Sequence, residues 1–147
     1  MSKTLVLIRH AHRDKPLGSS FDNGLSEKGK QQAKEFAEMF AKKFGKTKPS
    51  LVSSPKKRCI ETLEPLSKEI SIKVIIDNDL NESDDSMSKR MQTFLRWWKD
   101  KAPDFVVACS HGDWIPEFLL LTTEKMQELR KADWVLLKLE DGKVTLI

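Results

Sequence analysis

The amino-acid sequence predicts an α/β fold, with a mostly parallel sheet flanked by helices on both faces in a single domain. Short apolar runs alternate with helical stretches, which is the order of elements that builds a parallel sheet. The length of 147 residues is that of one ordinary domain. An Asp-Gly pair between two apolar runs near the C-terminus predicts a closing hairpin, so the last strand should be antiparallel and lie at an edge of the sheet.

The strands are predicted from apolar runs that are bounded by polar or turn residues. The run at 105–109 is continuous and suits a central strand that is buried on both faces. The last two strands are joined by the turn at Asp141 and Gly142. In chain order, the predicted strands lie at 4–8, 51–53, 72–76, 105–109, 134–139 and 144–147.

The first two helices are predicted from apolar residues at helical spacing and from signals at their ends. The first covers residues 26–44, with Ser26 as its N-cap and Gly45 at its end. The second begins after Pro55, because proline fits the start of a helix. Pro65 is a position at which this second helix can break or kink.

Two further helices are predicted in the C-terminal half of the chain. The third follows the polar run at 81–86, and the fourth begins near Pro116, after the strand at 105–109. The apolar stripe of the third helix has the spacing of a core-facing surface rather than of a cofactor site. This stripe consists of Met91, Phe94, Leu95 and Trp98.

The composition excludes several classes of protein. Apolar residues make up 39% of the chain and charged residues 33%, which is typical of a soluble globular protein rather than of a disordered or membrane protein. The apolar run at 5–8 is too short for the core of a signal peptide, so a cytoplasmic location is expected. The net charge of +4 favours anionic partners, but the chain lacks the basic stripe with interleaved aromatics that is typical of nucleic-acid binding.

The two cysteines predict neither a disulfide framework nor a metal cluster. Cys59 and Cys109 have apolar neighbours, and we expect them to be small buried thiols. His10 and His111 could hold a metal ion only if further carboxylate or imidazole ligands joined them, and no such set is expected. The sequence therefore predicts a site without a metal or an organic cofactor.

Polar residues follow each of the four predicted parallel strands. Arg9 and His10 follow the first strand, Arg58 comes shortly after the second, Glu82 follows the third, and His111 follows the fourth. Because the carboxyl ends of parallel strands meet at one edge of a sheet, we expect these side chains to lie around one cavity.

Two arginines and two histidines in one cavity repel one another when charged, so the arrangement predicts an anion between them. Phosphate is the natural candidate, because arginine binds its oxygens in a bidentate fashion and a neutral imidazole can attack its phosphorus. Arg9 is thus a candidate clamp and His10 a candidate nucleophile. Phosphoryl transfer needs mainly positioning and positive charge, so a metal is unnecessary in this interpretation.

Four motifs in the sequence resemble those of the histidine phosphatase superfamily. They are LIRHAHR, LSEKGKQQA, VSSPKKRCIET and CSHGDWI, and they occur in the order of the family between residues 5 and 115. The resemblance implies a phosphoglycerate mutase-like fold, in which residues 1–147 form one histidine phosphatase domain. The length of the chain and its Arg-His-Ala motif are similar to those of the small SixA-type phosphohistidine phosphatases.

The resemblance also implies roles for individual residues. The implied nucleophile is His10; the implied phosphate pocket is Arg9, Arg58 and His111, with Arg13 as a further phosphate contact; and the implied proton donor is Glu82. Asp113 remains an alternative proton donor, because some branches of the family carry the acid just after the second histidine.

The sequence also gives expectations for four residues that lie near these candidates in the motifs. Ala11 stands where the commonest family motif has glycine, and we interpret it as a feature of the small branch. His12 lies two residues from His10, but because a loop starts here we expect it to lie on the surface. Gly29 is expected to permit close packing of the first helix, and Gly112 to let the backbone approach closely after the second histidine.

The resemblance implies hydrolysis of a phosphoramidate or phosphomonoester through a phosphohistidine on His10. Few residues separate Glu82 from the next helix, so the site is expected to be open, and a protein phosphohistidine is the leading interpretation of the substrate. The alternative is a small phosphomonoester, with a phosphoglycerate mutase as a third possibility. A phosphate-binding module without turnover is the competing class. Neither nucleic acid nor a membrane is expected as a partner.

Overall fold

The strand that carries the predicted nucleophile lies in the interior of a six-stranded sheet. The computed structural model describes residues 2–147. Its strands, in chain order, are β1 (Ser2–Arg9), β2 (Ser50–Ser53), β3 (Val74–Ile76), β4 (Phe105–Ser110), β5 (Trp134–Glu140) and β6 (Lys143–Leu146). Its helices are α1 (Glu27–Phe44), α2 (Lys57–Ile70), α3 (Met87–Asp100) and α4 (Trp114–Thr123), with a short 3₁₀ turn at Asn78–Leu80.

The sheet is mixed, as the sequence predicts. Its strand order is β3-β2-β4-β1-β5-β6. Strands β1 to β4 run parallel to one another, whereas β5 pairs antiparallel with β1 and β6 antiparallel with β5. The closing hairpin therefore lies at one edge, and the prediction of an antiparallel edge strand is confirmed. The carboxyl ends of the four parallel strands open onto a single rim.

Helices cover both faces of the sheet, which confirms the predicted architecture. Leu5 and Leu7 of β1 face a core that includes residues of α3 and α4, such as Phe94 and Phe118. Val6 and Ile8 face the opposite core, which is built with α1 and α2. Since side chains alternate along a strand, β1 contributes to both cores at once.

The predicted ends of the first helix are confirmed. Ser26 caps α1, and its hydroxyl accepts a hydrogen bond from the backbone nitrogen of Gly29. Gly45 follows the last helical residue with a φ of 58°, a conformation that glycine adopts without strain. The backbone nitrogen of Gly45 donates to the carbonyl of Ala41, which satisfies one carbonyl of the final turn.

Three predicted boundaries differ from those observed. Helix α2 continues through Pro65, because Leu63 and Leu66 are fully buried on either side of it and their packing holds the helix together. Helix α4 begins at Trp114, so Pro116 lies within its first turn, where no intrahelical donor is needed. Strand β3 is shorter than predicted and has an exposed Ile75.

The predicted burial of both cysteines is confirmed. Cys59 and Cys109 are free thiols in the core, and burial raises the pKa of the Cys109 thiol. Among residues 2–147, no helix is long and apolar enough to span a membrane.

Candidate active site

The predicted site residues come together in one pocket at the carboxyl ends of the parallel strands. The pocket has a volume of about 320 Å³. Gly112 and Asp113 line it beside the second histidine. The predicted residues that line it are Arg9, His10, Arg13, Arg58, Glu82 and His111.

His10 is held as a neutral imidazole with a free Nε2. The residue is 5% exposed, and its Nδ1 lies 2.9 Å from the carbonyl oxygen of Ala11. A carbonyl only accepts hydrogen bonds, so the proton is on Nδ1 and the lone pair of Nε2 is available. Burial, together with the charges of Arg58 and Arg9, lowers the pKa of His10 to about 4. The ring is therefore neutral at pH 7, and its unprotonated Nε2 can act as the nucleophile.

The backbone around His10 is fixed by several elements. Its nitrogen donates to the carbonyl of Ser110 on β4, at 3.1 Å, and its carbonyl accepts from the nitrogen of Ala132, at 3.2 Å. The nitrogen of Ala11 donates to the hydroxyl oxygen of Thr62 on α2, at 2.9 Å. That hydroxyl donates to the carbonyl of Arg58, so one threonine links the nucleophile's loop to the turn that carries the arginine.

His111 forms the wall opposite His10. The ring centroids of the two histidines are 5.6 Å apart, with the planes inclined at 61°. Nε2 of His111 lies 2.8 Å from Oγ of the buried Ser54, and Nδ1 lies 3.3 Å from Nη2 of Arg58. Because arginine only donates, Nδ1 is the acceptor and Nε2 carries the proton. Burial, followed by the charge of Arg58, lowers the pKa of His111 to about 2, so this ring is also neutral.

The two arginines keep unused donors inside the protein. Nη1 of Arg9 donates to the carbonyl of Leu129, at 2.8 Å, and Nη2 of Arg58 donates to Glu82. The Nε atoms of both arginines are buried, and neither has a hydrogen-bond partner among residues 2–147. A buried donor without a partner costs free energy, so each guanidinium is suited to an oxyanion in the pocket.

Gly112 leaves room for the guanidinium group of Arg9. A Cβ on residue 112 would lie 2.7 Å from Cζ of Arg9 and 2.8 Å from its Nε. Only glycine therefore lets the plane of the guanidinium lie against this backbone. The close approach expected at this glycine is observed, and the group that approaches is the arginine of the first motif.

The two candidate proton donors differ in their contacts. The Glu82 carboxylate pairs with Arg58 and lies 3.8 Å from Nδ1 of His111 and 3.8 Å from Nζ of Lys56. The carboxylate of Asp113 accepts a hydrogen bond from the backbone nitrogen of Ser83, at 2.9 Å. Glu82 thus contacts the arginine of the pocket, whereas Asp113 holds the loop that carries Glu82.

Arg13 lies at the edge of the pocket. Its guanidinium donates to the carbonyls of Phe21, at 3.3 Å, and of Ser19, at 3.2 Å, in the exposed loop after β1. Burial, followed by the charge of Arg58, lowers its pKa from the usual value. Arg13 therefore links the phosphate pocket to this loop.

His12 lies outside the pocket, and it is partly exposed where a surface position is expected. The side chain is half-buried, and its Nδ1 lies 2.6 Å from Oγ of Ser26, the cap of α1. A Cβ on Gly29 would lie only 1.9 Å from the backbone carbonyl oxygen of His12. His12 and Gly29 thus join the nucleophile's loop to the first turn of α1.

Four residues that position the site are absent from the set of site residues predicted from sequence. Ser54 and Thr62 belong to the motif VSSPKKRCIET, and their position in this motif was the sequence signal for a role in the site. Ala11 contributes its methyl group to a small cluster with Leu25 and Ala33, which gives a packing reason for alanine at this position. Leu129 had no signal, because only its backbone carbonyl contacts Arg9 across 120 residues of sequence.

The donor set of the pocket does not suit a metal ion. Within the described part of the chain, no group of three or more histidine, cysteine, aspartate or glutamate side chains could hold one. The pocket is lined instead by guanidinium groups, which repel a divalent cation.

Comparison with known families agrees with this geometry. Residues 5–85, which are more than half of the chain, match the model of the histidine phosphatase superfamily (branch 1). The protein therefore belongs to the histidine phosphatase superfamily, which confirms the resemblance of the four motifs. The match does not separate the small SixA-type group from other members. A comparison with curated proteins found no significant match.

Solved structures confirm the fold. A mycobacterial glucosyl-3-phosphoglycerate phosphatase complexed with VO₃ has a TM-score of 0.80 and 20% identity, covering 99% of this chain and 97% of its own. Phosphoserine phosphatase from Entamoeba histolytica, in complex with 3-phosphoglyceric acid, has a TM-score of 0.77 and 20% identity, covering 98% and 94%. Phosphoglycerate mutase from Plasmodium falciparum has a TM-score of 0.75 and 22% identity, covering 100% and 89%.

Proposed function

We propose that this protein is a phosphatase that hydrolyses small phosphate esters through a covalent phosphohistidine on His10. The observation that carries the proposal is the state of His10, a buried neutral imidazole whose proton is held on Nδ1 by Ala11. Its Nε2 lies in a pocket with two arginines that have unused buried donors. A nucleophilic nitrogen and a cationic clamp in one pocket are the groups that phosphoryl transfer requires.

The size of the substrate is inferred from the pocket and from the similar structures. The pocket is open to solvent, and its volume of about 320 Å³ holds a phosphoryl group with a small leaving group. The similar structures include a glucosyl-3-phosphoglycerate phosphatase and a phosphoserine phosphatase, and each of these enzymes is named for a small phosphate ester. These comparisons favour the small phosphomonoester over the protein phosphohistidine, which was the leading interpretation of the sequence.

In the first step, Arg9 and Arg58 bind the equatorial oxygens of the phosphoryl group. Nε2 of His10 attacks the phosphorus, and the bond between phosphorus and the ester oxygen breaks. The ester binds as its monoanion, and when Arg58 turns from Glu82 to the phosphoryl group, Glu82 takes the remaining phosphate proton. Glu82 passes this proton to the departing oxygen, which leaves as an alcohol. The product of this step is phosphohistidine, with its charge held by the two guanidinium groups.

In the second step, water attacks the phosphohistidine and regenerates the neutral ring. Glu82, now a carboxylate, takes a proton from the water, so the same group serves as acid and then as base. The products are inorganic phosphate and free His10. Glu82 suits this role because it reaches Arg58 in the pocket, whereas the Asp113 carboxylate is bonded to the Ser83 nitrogen.

His111 adds a donor when the oxyanion is bound. In the free protein its Nδ1 accepts from Arg58, and its Nε2 donates to Ser54. When Arg58 turns to a phosphoryl oxygen, the proton can lie on Nδ1 and point to the same oxyanion, while the Ser54 hydroxyl donates to Nε2. No charge is needed on the ring for this contact, and we expect no metal to be needed for turnover.

The experiment is to trap the intermediate. With ³²P-labelled substrate and a rapid quench in base, the wild type should carry acid-labile phosphate, and His10→Ala should carry none and show no turnover. The control is His12→Asn, which changes the neighbouring histidine outside the pocket and should keep the label. Equal labelling of His10→Ala and the wild type would refute the proposal. Phosphate binding without any turnover by the wild type would favour a binding module instead.

A further inference from the structure

Arg90 lies in the first turn of α3, and the phosphoryl transfer described above does not use it. The residue is 7% exposed and does not line the phosphate pocket. Its Nη1 donates hydrogen bonds to three backbone carbonyls, those of Asn81, Asp79 and Asn78, at 2.9, 3.2 and 3.3 Å. Its Nη2 donates to the carbonyl of Glu82, at 2.8 Å. One guanidinium group therefore binds the backbone of residues 78–82, and this range includes the proposed proton donor.

The other hydrogen bonds of Arg90 are made to residues just before α3. Nε donates to the hydroxyl oxygen of Ser86, at 2.9 Å, and Nη2 also donates to the carboxylate of Asp84, at 3.1 Å. Among residues 2–147, Asp84 supplies the one carboxylate within 4.0 Å of Arg90, and its side chain is 57% exposed. An exposed ion pair contributes little, so the buried charge of Arg90 is satisfied mainly by backbone carbonyls. The arginine and the segment at 78–82 therefore hold each other in place.

The segment that Arg90 binds has little regular structure of its own. It lies between β3 and α3, with a short 3₁₀ turn at Asn78–Leu80 and irregular backbone at 81–84. Carbonyls outside a helix or strand need other partners, and a connecting segment is more mobile than the elements it joins. The side chain of Glu82 is 42% exposed, and its carboxylate contacts Arg58 and Lys56. The position of this carboxylate at the pocket therefore depends on how firmly its backbone is held.

Arg90 holds the backbone at Glu82 itself. The hydroxyl of Ser110 on β4 donates to the carbonyl of Leu80, at 2.6 Å, so it holds the segment two residues earlier. The nitrogen of Glu82 donates to the side-chain oxygen of Asn81, which belongs to the same segment. Among residues 2–147, the bond from Arg90 is thus the one that joins the Glu82 backbone to an element outside the segment.

We propose that Arg90 is a positioning residue for catalysis, whose guanidinium group fixes the backbone of residues 78–82 so that the Glu82 carboxyl group reaches the leaving oxygen. This inference rests on the proposed function, in which Glu82 delivers the proton. Proton transfer needs the two oxygens within about 3 Å of each other, and a misplacement of about 1 Å costs about 100-fold in rate. Arg90 itself does not line the pocket, so it acts through Glu82.

The test compares two esters that differ in their need for a proton. Benzyl phosphate leaves as an alcohol and needs the proton, whereas p-nitrophenyl phosphate has a leaving group that needs none. The measured quantity is kcat/KM, because it covers the reaction only up to the departure of the leaving group. A loss of stability or of phosphate binding would lower both values equally. A misplaced proton donor lowers the value for benzyl phosphate selectively.

Two variants of Arg90 should give graded losses. Arg90→Lys keeps the charge and the aliphatic stem, but its three donors lie on one nitrogen and cannot reach carbonyls spread over 78–82. It should lower kcat/KM for benzyl phosphate by about tenfold and for p-nitrophenyl phosphate by less than about twofold. Arg90→Met removes every donor and should increase the selective loss to about 30- to 100-fold. Thermal unfolding is measured on the same samples, and Arg90→Lys decides the question if Arg90→Met does not fold.

The controls use the same helix and the proposed acid. Arg96→Lys and Arg96→Met make the same changes at an exposed arginine of α3, and both should keep the two kcat/KM values within about twofold of the wild type. In a Glu82→Gln background, Arg90→Lys should cause no further selective loss, because no proton donor remains to be positioned.

The outcomes separate this inference from the proposed function. Equal losses for the two esters, unchanged values in the Arg90 variants, or a selective loss that persists in the Glu82→Gln background would each overturn the role of Arg90. If Glu82→Gln shows no selective loss, or if the wild type hydrolyses p-nitrophenyl phosphate alone, the inference fails while the phosphatase stands. If the wild type hydrolyses neither ester, the proposed function fails and the inference fails with it.

Discussion

Replacing Gly112 by alanine should reduce catalysis through Arg9 alone. The φ of Gly112 lies outside the left-handed region, so alanine can adopt this backbone without strain. Its Cβ, however, would lie 2.7 Å from Cζ of Arg9. Carbon atoms in contact are about 3.5 Å apart, so the guanidinium has to recede by about 0.8 Å. That shift also lengthens its hydrogen bond to the carbonyl of Leu129.

The expected loss follows from this displacement. A misplacement of about 1 Å in a positioning group costs about 100-fold in rate, so Gly112→Ala should lower kcat/KM by about 30- to 100-fold. This corresponds to about 2 to 2.7 kcal/mol of transition-state stabilisation. The assay is the hydrolysis of p-nitrophenyl phosphate, with thermal unfolding measured on the same samples to show that the variant is folded.

A double-mutant cycle tests the cause. In an Arg9→Ala background, the methyl group added at position 112 meets no guanidinium, and Gly112→Ala should change kcat/KM by less than about twofold. Both backgrounds receive the same methyl group beside His111, so an effect on that histidine would persist in each of them. An equal loss in the two backgrounds would refute the reasoning, because the contact with Arg9 could not then be its origin.

Two further predictions concern the titrating groups. The folded pKa values of His10 and His111, about 4 and about 2, lie below the ordinary value of 6.5, so stability should fall as the pH drops below 6.5. Each histidine should lower the free energy of unfolding by on the order of 1 kcal/mol per pH unit. Urea unfolding of the wild type and of His10→Gln at pH 7 and pH 5 measures this loss. Equal pH dependence of the two proteins would contradict the lowered pKa of His10. Glu82→Gln should lower kcat by about 100-fold or more for an alkyl phosphate, but far less for p-nitrophenyl phosphate, whose leaving group needs no proton. Asp113→Asn serves as the matched variant, and the opposite pattern between the two would make Asp113 the acid.

The parts of the fold that could be predicted are those with local signals. Ser26 and Gly45 marked the two ends of α1 because capping chemistry acts within a few residues. The pocket could be located because parallel strands bring their carboxyl ends together, so residues after β1, β2 and β4 had to meet. The Asp-Gly turn between β5 and β6 was visible for the same reason as the caps, since its conformation depends on adjacent residues.

The parts that could not be predicted depend on contacts between distant residues. Helix α2 passes through Pro65 because tertiary packing outweighs the local cost of proline. The hydrogen bond from Arg9 to the carbonyl of Leu129 leaves no mark in the sequence, because any residue at position 129 supplies that oxygen. The contact between His12 and the hydroxyl of Ser26 could not be predicted, because it joins residues 14 positions apart in the sequence.

The alternation of side chains along β1 has a consequence for how this protein can change. Leu5 and Leu7 enter one core while Val6 and Ile8 enter the other, so no shift of this strand is possible without disturbing both. The position of the His10 ring, directly after this strand, is therefore fixed by both cores. New substrates would have to be accommodated by the loops at 14–24 and 124–131, which can vary in sequence while the chemistry stays in place.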